Sequence, residues 1–580
     1  MNRTASAVSV VAASDATSAD DVDDPDWLPL RSFRFPELSN EAEAHPAIDQ
    51  YRSSFFGLIL SYPFAIVIYI IVAFEFAAYV LIRLTVTAWE ALRLVFRPTE
   101  RRLSSSLRRA TTRRKWYARA GKLDSLLGNG TNLKASFDRL LLRSTQGRLN
   151  LPHEDAHAMF RELRNACAPN LGGIANESLY SHRFTGENEE ISSFAAAVTA
   201  KVQSLLHCDL PFEVKRSYFA ELDRLYGRSA LLLSGGAGNG YYHLGVVKAL
   251  LAADSLPSIV SGSSAGALMG AVVCTRTDGE LREFIKPECF QYFQPCAGGV
   301  LVMLRRWVET GYCFDLAEWS AKLNEALGGP PNLTFAEAYI RSRRVLNISI
   351  NDGLSHTVVL SHVSAPDVVI WSAVLASAAL PLLLPSVQLQ AKRADGTVEP
   401  FSAFGRLWRD GSILNDLPFD HLHAAFNVNF SIVSQVEPHL VPFFFNAAGS
   451  AGKPAGHRGG RGWRGGFILS FAEALIKLDM KKWLTIMHDL ELSPTMFGTS
   501  WSKIFLQPSY GAVTILPSLG VRDYLYLFQD SDMEGFRQYI VGGERAVWPK
   551  LTAIANHRSI ELAIAEAQRT LSRMQPAKLN

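Results

Sequence analysis

The sequence predicts an α/β protein with a core of strand–turn–helix units, preceded by a hydrophobic segment able to enter a membrane and by a mainly helical accessory region. Three observations lead there. Across residues 229–275 two short apolar runs each end in a glycine-rich turn and continue into a helical stretch, the alternation that marks α/β folds. Across residues 55–82 the only charged residue is Glu75. Across residues 120–225 apolar side chains recur at helical spacing, as in Leu123, Leu126 and Leu127. With 580 residues, 48% hydrophobic and 19% charged, the chain can bury more than one core. Its net charge of +3 gives no general reason to expect a nucleic-acid partner.

Residues 1–50 hold ten Asp or Glu against three Arg and lack the apolar centre of a signal peptide; they read as a disordered acidic arm. Residues 51–97 form the hydrophobic segment. As one helix, the 28 residues 55–82 would reach about 42 Å against a hydrocarbon thickness of about 30 Å. Pro63 and the interruptions at Arg83, Glu90 and Arg93 also allow a hairpin that enters and leaves one face. Residues 97–119 then carry nine Arg or Lys and one Glu, a flank held on the cytosolic side and drawn to anionic head groups. The following region is therefore expected to face the cytosol. The run RRATTRRK beside such a segment points to lipid rather than to RNA.

Residues 98–225 combine this flank with the helical accessory region, which contains His153-Glu154-Asp155-Ala156-His157. H-E-x-x-H places two histidines on one helical face for zinc, with the glutamate as base. Here Pro152 would put His153 in a frayed first turn, Asp155 adds charge, and no third ligand follows. A solvated helix start is the expected reading, with no metal.

Residues 226–445 carry the chemistry. A buried strand at 230–233 leads into Ser234-Gly235-Gly236-Ala237-Gly238-Asn239-Gly240, and a second at 258–260 into Gly262-Ser263-Ser264-Ala265-Gly266. The latter is G-x-S-x-G: a nucleophilic serine must project from a sharp strand-to-helix turn, and small residues two positions either side avoid clashes there. Ser264 is the candidate nucleophile. The helix from Ala265 points its first amides at a developing anion. A nucleotide reading of these glycines fails, because Tyr241 and His243 stand where G-x-G-x-x-G needs its last glycine, and no Lys-Ser/Thr follows Gly240. The base is not in a recognisable histidine motif; downstream stands Leu407-Trp408-Arg409-Asp410-Gly411-Ser412.

This arrangement resembles the patatin-like acyl hydrolases, with a glycine-rich oxyanion loop, a G-x-S-x-G serine and a later Asp-Gly. More narrowly it is similar to the triacylglycerol lipase branch of fungi and plants, over roughly residues 115–445. Matching motifs include Leu123-Asp124-Ser125-Leu126-Leu127-Gly128-Asn129, Pro169-Asn170-Leu171-Gly172-Gly173-Ile174, Leu179-Tyr180-Ser181-His182, Ile370-Trp371-Ser372-Ala373-Val374 and Phe426-Asn427-Val428-Asn429, with an echo from Gln507 to Ile515. The resemblance implies a three-layer α/β/α core, a Ser264–Asp410 dyad, and an oxyanion hole from the amides of Gly235, Gly236, Ala237 and Ala265, with Gly262, Ser263 and Gly266 shaping the elbow. It implies a neutral-lipid or phospholipid ester as substrate, no cofactor or metal, and residence at the endoplasmic reticulum or a lipid droplet. A phospholipase A or lysophospholipid acyl hydrolase or acyltransferase, and a catalytically silent droplet scaffold, remain alternatives. Typical patatins carry Asp at Ser234, Gly at Ala237, Arg or Lys at Asn239 and Gly or Ala at Ser412. Without a cation at Asn239, backbone amides are expected to supply most of the oxyanion stabilisation.

Other stretches are expected as follows. Residues 307–326 form a helix, 345–350 and 357–360 a hairpin around Asn351-Asp352-Gly353, and 368–380 a helix stopped by Pro381. His362 and Asp367 match an H-x-x-x-x-D acyltransferase pattern at the frequency chance provides. Six cysteines without C-x-x-C spacing suggest reduced thiols. In 446–580, a Gly/Arg loop at 456–466 precedes an apolar helical stretch, 467–490, that covers the site or touches lipid.

Overall fold

The computed structural model describes residues 55–574 apart from 129–138, 151–154, 295–298, 352–356, 402–406, 412–415, 441–450, 453–465, 491, 493–494 and 497–498. The expected acidic arm, the Asn351 turn beyond its first residue and most of the Gly/Arg loop lie outside these residues.

Phe55–Val95 is one helix, α1, with Pro63 inside it. The hairpin alternative is not adopted: a single proline removes one backbone bond and kinks a helix rather than reversing it. The part Pro63–Val95 is long and apolar enough to cross a membrane. Pro98–Arg108 follows, and Glu100 ties back to α1 through Arg93 at 2.5 Å.

The accessory helices are Arg113–Leu127, Arg139–Asn150, Ala156–Ala166, Glu189–His207 and Phe212–Tyr226. Three of these starts carry side-chain caps, Thr112 accepting from the Lys115 amide, Asp155 from that of His157 and Asn188 from that of Ile191. Leu142, Phe160, Phe194 and Phe219 pack together, and Ile560, Ile564 and Leu571 of the last helix, Leu551–Met574, complete that core.

The central sheet has seven strands: β1 Arg228–Leu233, β2 Ile259–Gly262, β3 Val345–Asn351, β4 Thr357–Leu360, β5 Arg409–Asp410, β6 Val428–Ser434 and β7 Val513–Ile515. The order is β7-β6-β1-β2-β3-β4, with β5 also on β3. Neighbours are parallel as far as β3, and β4 and β5 pair with β3 antiparallel. The main-sheet strands carry residues for both faces. Leu231, Leu233 and Val260 belong to one core, Ala230, Leu232 and Ile259 to the other. On the first side lie helices α2 Tyr242–Leu251, α3 Ala265–Cys274 and α4 Ile370–Ser377; on the second is Phe419–Phe426, joined by Tyr339 of Phe335–Ser342, a helix whose Phe335 and Ala338 belong to the first core. This is the three-layer α/β/α arrangement.

Two expectations change in extent. Residues 307–326 are not one helix: Gly299–Thr310 ends at Gly311, whose φ of 81° breaks the run, and Asp315 caps a new helix, Leu316–Leu327, by accepting from the Ala317 and Glu318 amides. The 368–380 helix shortens to α4, because Val368 and Val369 are engaged by β-bridges to Ala391 and Thr334.

Helix α5, Gly466–Asp489, runs along α1. Three polar positions of α1 lie one turn apart on a single face and meet α5 in descending order: Glu75 sits against Asp479 and Lys482, Lys477 lies 5.6 Å from the Tyr79 ring, and Arg83 faces Glu473. The two helices are therefore antiparallel. Their outward rows, Phe74, Leu81 and Leu84 on α1 and Ile468, Phe471, Leu475 and Leu478 on α5, are exposed. Finally α6, Met533–Val547, packs on α2, where a Cβ on Gly245 would lie 2.0 Å from the Ile540 carbonyl oxygen.

Candidate active site

β2 ends at Gly262 and the chain turns at once into α3, leaving Ser264 between them at φ 51° and ψ −122°. A side-chain-bearing residue holds such a conformation only when its surroundings impose it, at a cost of about 1–3 kcal/mol. The imposition is steric on both flanks. A Cβ on Gly262 would come within 2.3 Å of the Gly266 oxygen, and one on Gly266 within 2.1 Å of the Leu233 oxygen. The Ser264 amide donates to Ser377 Oγ at 2.9 Å, and that hydroxyl donates to the Ser349 carbonyl on β3 at 2.7 Å. Ser264 is 7% exposed.

Register brings Asp410 to the same place. β2 pairs with β3 up to Gly262 opposite Ile348, while β5 pairs with β3 through Ile350 opposite Asp410. β4 already occupies the other side of β3 at Ile350. β5 therefore takes the slot that β2 vacates, two residues further on, where the turn carries Ser264. Asp410 is fully buried, and its amide donates to the Ala379 carbonyl at 3.3 Å. The next residue has to be glycine, since a Cβ on Gly411 would lie 2.2 Å from the Ser349 oxygen.

The glycine-rich turn after β1 forms the third wall. Gly236 has φ 146° and Ala237 has φ 48°. One expected donor is spent elsewhere: the Gly235 amide donates to Asp416 Oδ1 at 2.9 Å. This corrects the expected donor set, because an amide already satisfied by a buried carboxyl cannot also be a ready oxyanion donor. The amides of Gly236, Ala237 and Ala265 have no acceptor among the described residues.

Asp416 was not singled out in the sequence, yet it joins two walls. Its Oδ1 also accepts from the Ser263 hydroxyl, and its own amide donates to Gln507 Oε1 at 3.0 Å. Burial pushes its carboxyl up to about 7, against the bonds from Ser263 and Gly235, and the nearby charge of Asp410 adds to the rise. Glu437 lies in the same acidic neighbourhood; burial first, then Asp416 and Asp410, raise its carboxyl well above the usual range. No sequence motif announces Asp416, since its partners lie 153 and 181 residues away.

His243 braces the turn from behind. Its Nε2–H donates to the Ser234 carbonyl at 3.0 Å and its Nδ1 accepts from the Ser434 hydroxyl at 2.8 Å. Burial lowers it to about 4. A histidine depressed below its unfolded value of about 6.5 contributes stability that is complete above that pH and lost as pH falls through the folded value. His243→Gln keeps one donor and one acceptor but cannot titrate. The stability advantage of the wild type over this variant, read from urea midpoints, is therefore expected to shrink by about 1.4 kcal/mol per pH unit between roughly 6.5 and 4. A constant difference across that range would contradict the neutral buried imidazole.

The remaining candidates lie apart. His153 and Glu154 fall outside the described residues; Asp155 caps the helix Ala156–Ala166, and His157 Nδ1 bonds the Tyr218 hydroxyl. Among the described residues no group of three His, Cys, Asp or Glu is placed to hold a metal ion. His362 stacks on Tyr339, with ring centroids 4.3 Å apart, and Tyr339 belongs to the opposite core of the sheet from α3. Among the described residues the five cysteines, including Cys167, Cys274 and Cys289, are free thiols.

Comparison with known proteins adds the family context. Residues 231–423 match the patatin-like phospholipase family model, and residues 94–224 match a domain of unknown function, DUF3336. A patatin-like phospholipase domain-containing protein of Cryptococcus neoformans is 37% identical over 571 residues, which are 95% of this chain and 65% of that protein. Those of Neosartorya fischeri and Aspergillus fumigatus are 37% and 36% identical, covering 93% of this chain and 78% of theirs. The chain thus spans just under two thirds of the Cryptococcus relative and about four fifths of the other two. The crystal structure of VipD from Legionella pneumophila shares 15% identity over 57% of this chain and 67% of that one, with a TM-score of 0.27, a likeness too remote to bear on the site.

Proposed function

The chain belongs to the patatin-like phospholipase family, and from that premise we propose that it is a lipid carboxylic-ester hydrolase, with triacylglycerol as its substrate and Ser264 and Asp410 as its reacting pair. The observation that carries this reading is the pairing of a serine held at φ 51° with a buried aspartate in the strand slot beside it. In the proposed cycle Asp410 takes the Ser264 proton as Oγ attacks the ester carbonyl, and returns it to the departing alcohol. The amides of Gly236, Ala237 and Ala265 meet the oxyanion. Water then cleaves the acyl-enzyme by the same proton transfers and releases the fatty acid. No metal or cofactor enters the scheme.

A lipid surface as partner is supported by α1 and by the exposed apolar rows of α1 and α5. A further apolar row, Leu301, Leu304 and Val308, is exposed on Gly299–Thr310, and Leu382 is half exposed three residues after the carbonyl that holds Asp410. We place the protein on the endoplasmic reticulum or a lipid droplet, with the sheet domain in the cytosol beside the basic flank. Phospholipid is the second substrate reading, since the family is named for a phospholipase. Fatty-acid release from emulsified triacylglycerol and from phosphatidylcholine vesicles, with wild type and Ser264→Ala in parallel, tests both. Release from triacylglycerol that disappears in the variant is expected. Serine-dependent release only from phosphatidylcholine would change the substrate, and no serine-dependent release would leave a scaffold.

A further inference from the structure

We propose that Asp416 is a positioning residue that clamps the glycine-rich turn to the serine elbow and thereby sets the distance between Ser264 and the free amides of Gly236 and Ala237. The inference rests on the hydrolase reading above for its catalytic consequence, but not for the clamp itself.

The geometry is specific. One oxygen, Asp416 Oδ1, accepts from the Gly235 amide at 2.9 Å and from the hydroxyl of Ser263, so a single atom joins the residue before Gly236 to the residue before Ser264. Without it, these two segments touch mainly through small or absent side chains: the Cα of Gly240 faces the methyl of Ala265, where a Cβ would come within 2.7 Å. Small-residue contacts allow close approach but supply little resistance to sliding. A buried hydrogen-bonded acceptor supplies that resistance, because separating the segments leaves buried donors unsatisfied. The clamp is anchored in turn. The Asp416 amide donates to Gln507, and Leu417 next to it is buried in the second core.

The second oxygen, Oδ2, is buried and makes no hydrogen bond among the described residues. The carboxyl thus uses one oxygen as a two-donor acceptor and leaves the other buried without a partner among the described residues, an arrangement a neutral side chain tolerates better than a charged one. Asparagine has the same shape and offers the same acceptor. Alanine has neither. This difference separates a clamp from a charge effect, since asparagine restores the former and not the latter.

The experiment compares wild type, Asp416→Ala and Asp416→Asn, each as the full chain in detergent, by two readouts. Hydrogen–deuterium exchange of the segment containing Gly235 and Gly236 reads the clamp without any catalytic assumption. Ester hydrolysis reads its consequence. Expected are at least tenfold faster exchange in Asp416→Ala and a kcat lowered about 10²-fold with KM within twofold, the size of effect that loss of one oxyanion donor produces. Asp416→Asn should recover most of both. Unchanged exchange in Asp416→Ala would overturn the clamp, and so would a kcat within threefold of wild type, or an Asp416→Asn variant as impaired as Asp416→Ala. If the wild type shows no Ser264-dependent hydrolysis, the hydrolase reading fails and the exchange result alone decides the clamp.

Discussion

Asp410→Asn is expected to lower kcat for ester hydrolysis by about 10²- to 10⁴-fold, the range attributable to a positioned general base, while KM and thermal stability stay near wild-type values. The substitution is nearly isosteric, and the backbone pairing of β5 with β3 and the Ala379 bond do not involve the carboxylate. What disappears is a group that can accept the Ser264 proton. A carboxylate is a weak base in water and a useful one only when enclosed and directly placed; in the proposed cycle the buried strand slot supplies the enclosure. Steady-state kinetics on triacylglycerol emulsions, with a melting curve on the same preparation, check the point. An Asp410→Asn enzyme with a third or more of wild-type kcat would remove Asp410 from the mechanism.

The second large effect is structural. Gly266→Ala should prevent a stable native core, costing on the order of 3 kcal/mol or more, because its new methyl would meet two backbone carbonyls, Leu233 and Ser234, at 2.1 and 2.7 Å. Side chains can rotate away, but these carbonyls belong to β1 and to the turn that follows it. Gly279→Ala is the control, since nothing lies within 4 Å of its Cβ position. Soluble yield and urea midpoints should fall for the first variant and hold for the second. Comparable stability for Gly266→Ala would mean that the elbow has slack the packing does not show.

How much could be read beforehand follows from the range of each interaction. The elbow was legible because its constraint is local: Gly262, Ser264 and Gly266 lie within five residues, and the steric requirement two positions either side of Ser264 is written as glycine. Asp410 was accessible through the motif it forms with Gly411, and the structure gives a reason for that glycine in the nearby Ser349 carbonyl. The strands β3 and β4 announced themselves by β-branched residues either side of Asn351-Asp352-Gly353. Asp416 could not be found this way, nor could the commitment of the Gly235 amide, because both arise from contacts across much of the chain. The break at Gly311 was hidden by helix-forming residues on both sides, where a positive φ and the Asp315 cap outweigh propensity. The contribution of Leu551–Met574 to the accessory core was likewise unreadable, for an amphipathic helix does not name its partner.

The antiparallel match between α1 and α5 has a consequence for how separable the parts of this protein are. A lipid anchor of the simplest kind is a module, joined by a linker and exchangeable for any other apolar helix. Here the Glu75, Tyr79 and Arg83 positions are read one after another by Asp479, Lys477 and Glu473, and α5 is joined through Trp501–Leu506 to Gln507, which holds Asp416. Removing residues 1–97 would therefore not simply release a water-soluble catalytic unit; it would strip one face of a helix that is connected, within twenty residues of chain, to the support of the serine elbow. The apolar helix and the proposed reaction centre are built as one piece.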